Sequence, residues 1–201
     1  MAEPPDGIEA PGEPERVCGS CSLCCTLLRV DALAKLGGTP CRHQLVGNPA
    51  GGCGIHARRP EICRGYRCLW LSGSLEESDR PDRLGAVLSL ATAGETPSLF
   101  VHEARRGAFD ASPRLQAIAD LWRESLPVRI ADSESVMDPD RPQRVLLPGG
   151  EEHIIEGDRV TLRRPGRPDE ARRLPLLDRG LRRAAIALRR AYLRWLVARR
   201  R

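Results

Sequence analysis

The chain reads as an α+β protein: a loop-rich cysteine metal-binding module packed on a small, mainly antiparallel sheet with a few helices. Three observations predict this. All eight cysteines fall between Cys18 and Cys68. Beyond Pro81, short apolar runs are separated by turn signals, the texture of strands. Two stretches with helical spacing, one around Leu115 and one at the C-terminus, interrupt and close that series, so strands and helices alternate irregularly.

Residues 1–16 hold five acids, one arginine and four prolines, and predict a disordered tail. Without an apolar stretch, that segment also predicts no export signal, hence a cytoplasmic chain. The cysteine module spans 17–75. Gly37-Gly38, Pro40, Pro49 and Gly51-Gly52 interrupt it, so only short helical pieces fit. Leu27, Val30, Leu33 and Leu36 recur every three residues and predict a helix over 26–36. Residues 76–177 complete the same domain. Strands are expected at 84–90 and 98–102, joined by the turn at 94–97, and at 128–131, 144–147, 152–155 and 159–162. Gly157-Asp158 marks the turn of the last pair, and Asp138-Pro139-Asp140 reads as another turn. A helix is expected over 113–125, with Ser112 as N-cap and Pro113 in the first helical position.

Residues 178–201 form the last expected element, a basic amphipathic helix. They contain nine arginines and one aspartate, a net +8, while the whole chain is +5, so the remaining 177 residues sum to −3. Leu181, Ala184, Ala185, Leu188, Ala191, Tyr192, Trp195 and Leu196 share one face of the wheel. Arg183, Arg190 and Arg194 lie opposite, and Ile186, Leu193 and Val197 form a second, narrower stripe. Such a helix suits contact with an anionic surface, membrane or nucleic acid. It equally suits docking on the sheet with its arginines solvated. No apolar run reaches the roughly 18 residues of a membrane span, and aromatic residues at 3% leave an aliphatic, modest core.

The cysteines carry the chemistry. In a reducing compartment eight thiols point to metal ligation, ahead of disulfides or redox switching. Cys18, Cys21 and Cys24 follow one another at two-residue gaps, which turn successive thiolates toward one centre, as in the first three ligands of a bacterial ferredoxin cluster. The ferredoxin Cys-Pro position is absent. The Cys24-Cys25 doublet favours more than one metal ion or two neighbouring sites. Cys41, Cys53, Cys63 and Cys68 follow without a second C-x2-C knuckle, which speaks against a simple two-knuckle zinc ribbon. His43 and His56 are substitute ligands or ordinary loop histidines. Arg59, Arg64 and Arg67 lie around Cys63 and Cys68, where guanidinium groups would offset a negative cluster or bind an anionic group. The plainer reading is a surface arginine paired with an acid.

The order of these elements resembles the CxxCxxCC cysteine-cluster family, described as zinc- or iron-chelating. The resemblance rests on Cys18 to Cys25, Pro40-Cys41, Cys53-Gly-Ile-His56, the run from Arg59-Pro60 to Cys68, and Leu69-Trp70. It covers about residues 17–71, and the relatives include the flagellin lysine N-methylase group. The resemblance implies metal chelation by Cys18, Cys21, Cys24, Cys25, Cys41, Cys53, Cys63 and Cys68.

Other signatures fail. Cys21 and Cys25 have the first gap of a radical adenosylmethionine motif, but Leu28 stands where the third cysteine belongs. There is no dinucleotide fingerprint, phosphate loop or nucleophile elbow. His102 and His153 read as structural. The leading expectation is an iron–sulfur protein with a redox role, an oxidoreductase, or a cluster-dependent role in modifying a macromolecule, with Tyr66 a candidate proton donor or a packing residue. The alternative is a zinc-stabilised, non-catalytic binding module that meets its partner through the basic helix.

Overall fold

The computed structural model describes residues 16–48, 52–132 and 142–199. Residues 1–15 of the tail expected over 1–16, the turn at Asp138-Pro139-Asp140, and Arg200 and Arg201 lie outside the described residues, while Arg16 is held against the fold, donating to the Trp70 and Leu75 carbonyls at 3.0 and 2.6 Å.

The frame is a seven-stranded sheet in chain order. Its strands are β1 (Ala86–Ala93), β2 (Thr96–Glu103), β3 (Val128–Asp132), β4 (Gln143–Leu146), β5 (Glu152–Glu156), β6 (Arg159–Arg163) and β7 (Glu170–Arg173). Neighbours pair antiparallel except β2 and β3, which run parallel. The β1–β2 loop is Gly94-Glu95, with Gly94 at φ 64°, a left-handed conformation that favours glycine. A parallel pair needs a crossover. Here it carries α4 (Ala108–Ala111) and α5 (Pro113–Arg123). Ser112 caps α5 as expected, its hydroxyl accepting from the Leu115 amide, with Pro113 in the first turn. The class is therefore α+β.

The two faces of β1 divide the core. Ala86 and Leu88 point to one side and join Leu99, Val101, Val128, Ile130 and Leu146 under Phe109, Leu115, Ile118 and Ala119 of the crossover helices. Val87 points to the other side and meets Leu27, Cys68 and Trp70 of the cysteine module. The module thus wraps the β1 edge: Cys68 and Trp70 lie on the face opposite the crossover helices, while Leu69 enters the core beneath those helices. Asp79, almost fully buried, ties the layers together. It accepts two bonds from Arg114 at 2.6 and 2.8 Å, and that guanidinium holds its carboxyl below the usual range.

Some elements differ from expectation. The helix expected over 26–36 is not formed. Instead α1 (Leu23–Leu27) ends early, Leu28 is extended, and Asp31–Leu33 make one 3₁₀ turn closed by Ala34 at φ 48°. The three-residue recurrence of leucines matches the 3₁₀ period, in which i and i+3 eclipse, better than a continuing α-helix. The first expected strand starts two residues late, because Leu84 ends α3 (Pro81–Leu84), with Gly85 as its left-handed cap. Strand β7 (Glu-Ala-Arg-Arg) has no apolar pattern to find. It is a fully exposed, charged edge strand, which resists pairing with other chains. Helix α6 (Leu176–Ala198) matches the expected basic helix, but its docking inverts the expectation. The side turned to the protein carries Arg179, Arg182, Ile186, Arg189, Leu193 and Leu196, while Leu177, Leu181, Leu188 and Trp195 are exposed. Ile186 and Leu193 of the narrow stripe dock together with Leu196 of the wide one, while Val197 and the rest of the wide stripe are exposed. Among the described residues no helix is long and apolar enough to cross a membrane.

Candidate metal centre

Backbone turns gather the cysteines. The Cys21 amide donates to the Cys18 carbonyl at 2.9 Å, around Gly19 at φ 52°. The Cys25 amide donates to the Ser22 carbonyl at 3.0 Å as α1 begins, so Cys24 and Cys25 ride on that short helix. The second segment is brought back by one bond, the Cys41 amide to the Cys25 carbonyl at 3.1 Å, and by an isolated bridge between Gln44 and Cys53. α2 (Glu61–Gly65) presents Cys63. Cys68 is buried on the turn that the Leu69 amide fastens to the Leu88 carbonyl of β1.

Gln44 is a residue that sequence reasoning missed. Its amide donates to the Ser22 carbonyl at 3.1 Å and to the Ser22 hydroxyl at 2.8 Å, and its side-chain oxygen accepts from Thr26 at 3.1 Å. It therefore staples the 41–53 loop to α1. Gly52 approaches the same serine so closely that an added Cβ would lie 2.4 Å from Ser22 Cβ. The Gly51-Gly52 pair had marked this only as a loop.

None of the eight cysteines is in a disulfide. Their mutual electrostatic influence maps the neighbourhood. Cys18 feels Cys68 and Cys25, and Cys24 shares a hydrogen bond with Cys25 and feels Cys18 and Cys21. Cys63 feels Cys25, Cys41 and Cys53. Cys25 is the member common to both groups. Burial pushes Cys18, Cys21 and Cys63 up. In the doublet the proton is retained on Cys24. The Cys25 thiolate is favoured first by that shared bond, then by Lys35 and Arg59.

Lys35, the only lysine, is 1% exposed. Its ammonium donates to the Thr26 carbonyl at 2.6 Å and to the Leu28 carbonyl. Two of its three donors are thus held by main chain on either side of the segment that follows Cys25. Nothing in its sequence context, Ala-Lys-Leu, distinguished it beyond its being alone.

Among the three arginines expected here, the structure brings Arg59 to the thiols, where it lowers Cys18, Cys25 and Cys63. Arg64 is exposed, and Arg67 is exposed with a bond to the Leu71 carbonyl at 3.0 Å. His56 is exposed and contacts Arg59, and the His43 carbonyl accepts from Gly54 at 2.7 Å. Tyr66 packs beside Leu27, Cys68 and Trp70. Burial raises its pKa beyond the usual phenol range, which suits packing better than proton donation.

As they stand, no three His, Cys, Asp or Glu side chains among the described residues are placed to hold a metal ion. In donor type the thiols suit a thiophilic metal. No family model, curated protein or solved structure matches the chain.

Proposed function

We propose that the chain is a metal-binding protein of the CxxCxxCC cysteine-cluster type whose module holds iron, as one or more iron–sulfur clusters, in the cytoplasm. The observation that carries this reading is the set of eight free thiols on segments tied together by backbone bonds, with the buried Lys35 bonded to the Thr26 carbonyl next to Cys25. Thiolate clusters carry net negative charge, and fixed cations nearby stabilise them. Cys18, Cys21, Cys24, Cys25, Cys41, Cys53, Cys63 and Cys68 would be the ligands. The group would supply electron transfer, to a redox partner or in modification of a macromolecule. Within this reading the protein's own groups position the ligands and set the charge: Gln44 and Gly52 hold the two segments together, and Lys35 and Arg59 offset the thiolates.

A second reading, a zinc-stabilised binding module, is favoured by one feature. Among the described residues the module contributes few buried apolar side chains, Cys21, Leu27, Cys68, Leu69 and Trp70, and its own cluster closes against Val87 of the sheet. A loop structure with so small a core needs an additional staple. Its partner contact would use the cationic groove beside α6 lined by Arg183, Arg190 and Arg194.

Anaerobic purification followed by metal analysis and visible spectroscopy tests both. Iron with acid-labile sulfide and broad absorption near ~400 nm is expected for clusters. A colourless protein with stoichiometric zinc reverses the ranking. A protein purified under reductant with neither metal removes both readings.

A further inference from the structure

The cysteine module buries a donor that nothing among the described residues uses. Trp70 is 5% exposed, and its indole Nε1 is buried with no hydrogen-bond partner there. A buried indole N–H ordinarily finds an acceptor, and one left without it is costly enough to call for a reason. The position is not a loose one. The Trp70 carbonyl accepts from the Gly73 amide at 3.1 Å and from Arg16 at 3.0 Å, and the Arg16 guanidinium lies over the ring, 5.5 Å from its centroid. On either side, the Leu69 amide is fastened to β1, and the Ser72 amide returns to the Cys68 carbonyl at 3.0 Å.

The surroundings narrow the acceptor. Apart from Trp70 itself, the side chains of its buried cluster that carry a polar atom are Cys68, Cys24 and Tyr66, and all the others are aliphatic. The Tyr66 hydroxyl lies beside Ser89 of β1, which leaves the two sulfurs. A neutral thiol accepts a hydrogen bond weakly, whereas a thiolate accepts strongly. The penalty on the indole is therefore lifted when one of these sulfurs loses its proton on binding a metal. Hydrogen bonds to ligating sulfurs are among the contacts that stabilise thiolate centres and set their potential.

We infer that the Trp70 indole N–H is a hydrogen-bond donor to the metal centre, held for a ligating sulfur of Cys68 or Cys24. The inference rests on the metal reading proposed above and adds to it a group that is not itself a ligand. Packing alone does not account for the residue, because phenylalanine or leucine fills an aliphatic pocket without burying a donor. The unpaired N–H also disfavours the module without metal, so ligation and closure of the module favour one another.

The test uses the full chain, anaerobic and in a non-thiol reductant, with nitrogen-15 in the indole rings and cadmium-113 as a thiolate-seeking probe. The chain's three tryptophans give three indole N–H signals in the magnetic resonance spectrum, and Trp70→Phe identifies the one that matters. On loading, the Trp70 proton should move downfield, exchange more slowly with solvent, and show a coupling to cadmium transmitted through the N–H to sulfur contact. The Trp122 and Trp195 signals should show no such coupling. Trp70→Phe keeps an aromatic ring and should bind cadmium about 10-fold more weakly, the loss expected when a group that hydrogen-bonds a ligand is removed. Cadmium held with no change at the Trp70 proton overturns this inference and leaves the metal reading standing. So does Trp70→Phe binding cadmium as tightly as the wild type. A wild-type chain that binds no cadmium overturns both. Should Trp70→Phe fail to fold, the cadmium coupling in the wild type decides alone.

Discussion

The sheet and the cysteine module are held together by different physics. From β1 to β4 the frame is a ladder of backbone bonds over an aliphatic core in which Leu99, Val101, Leu115 and Val128 are wholly buried. The module has no ladder. Its segments meet through single bonds, such as the Cys41 amide to the Cys25 carbonyl, through one glutamine side chain, and through a shared wall at Val87. A region that buries little and pairs little opens locally at low cost unless something else closes it. In this module the residues gathered at the points of closure are thiols.

The contrast can be tested at three strengths. Leu99→Ala removes a wholly buried side chain from the frame. It should cost about 3 kcal/mol of global stability, read from the denaturant midpoint, and should lower protection of all strands together. A loss confined to one hairpin would show that the sheet is not one cooperative unit. Gln44→Ala removes three hydrogen bonds from the module alone. About 1–2 kcal/mol is expected, appearing as faster amide exchange over residues 18–63 with β1 and β2 unchanged. Equal loss in both regions would mean that module and frame open together.

The smallest effect concerns the border between them. His102 pairs across from Val87 and stacks on Phe100 with ring centroids 5.9 Å apart. Desolvation holds its pKa down to about 4, against about 6.5 when unfolded. The unfolded chain therefore binds the proton first. The stabilisation is complete above pH 6.5 and is lost as the pH falls through 6.5 toward 4. Between pH 7 and 6 the loss should be below about 1 kcal/mol. His102→Gln should flatten that part of the stability profile, and an unchanged slope would place the histidine in solvent.

Strands β1 to β6 were legible because each carries its own signal. Apolar alternation, Gly94-Glu95 and Gly157-Asp158 turns, and the Ser112-Pro113 start of α5 are all local. The short α2 and α4 were not legible because a helix of four or five residues completes barely one turn, and β7 was not because it has no apolar alternation. Within the site, the cysteines were visible by type, but Gln44, Gly52 and Lys35 were not. Their roles come from what lies across from them, and neither glutamine nor lysine announces a partner 9 to 22 residues away.

By itself, the amino-acid order determined the confinement of every thiol to one quarter of the chain, the position of most strands, and the presence of two apolar stripes on the last helix. Tertiary structure alone decided that β2 and β3 run parallel, that a lone lysine is buried against the carbonyls just past Cys25, and which face of α6 turns inward. The reason is the range of the interactions. Backbone conformation and side-chain periodicity are set by neighbours along the chain. The choice of buried face is set by whichever distant surface the helix meets, and for α6 the competing stripes differed too little locally to settle it.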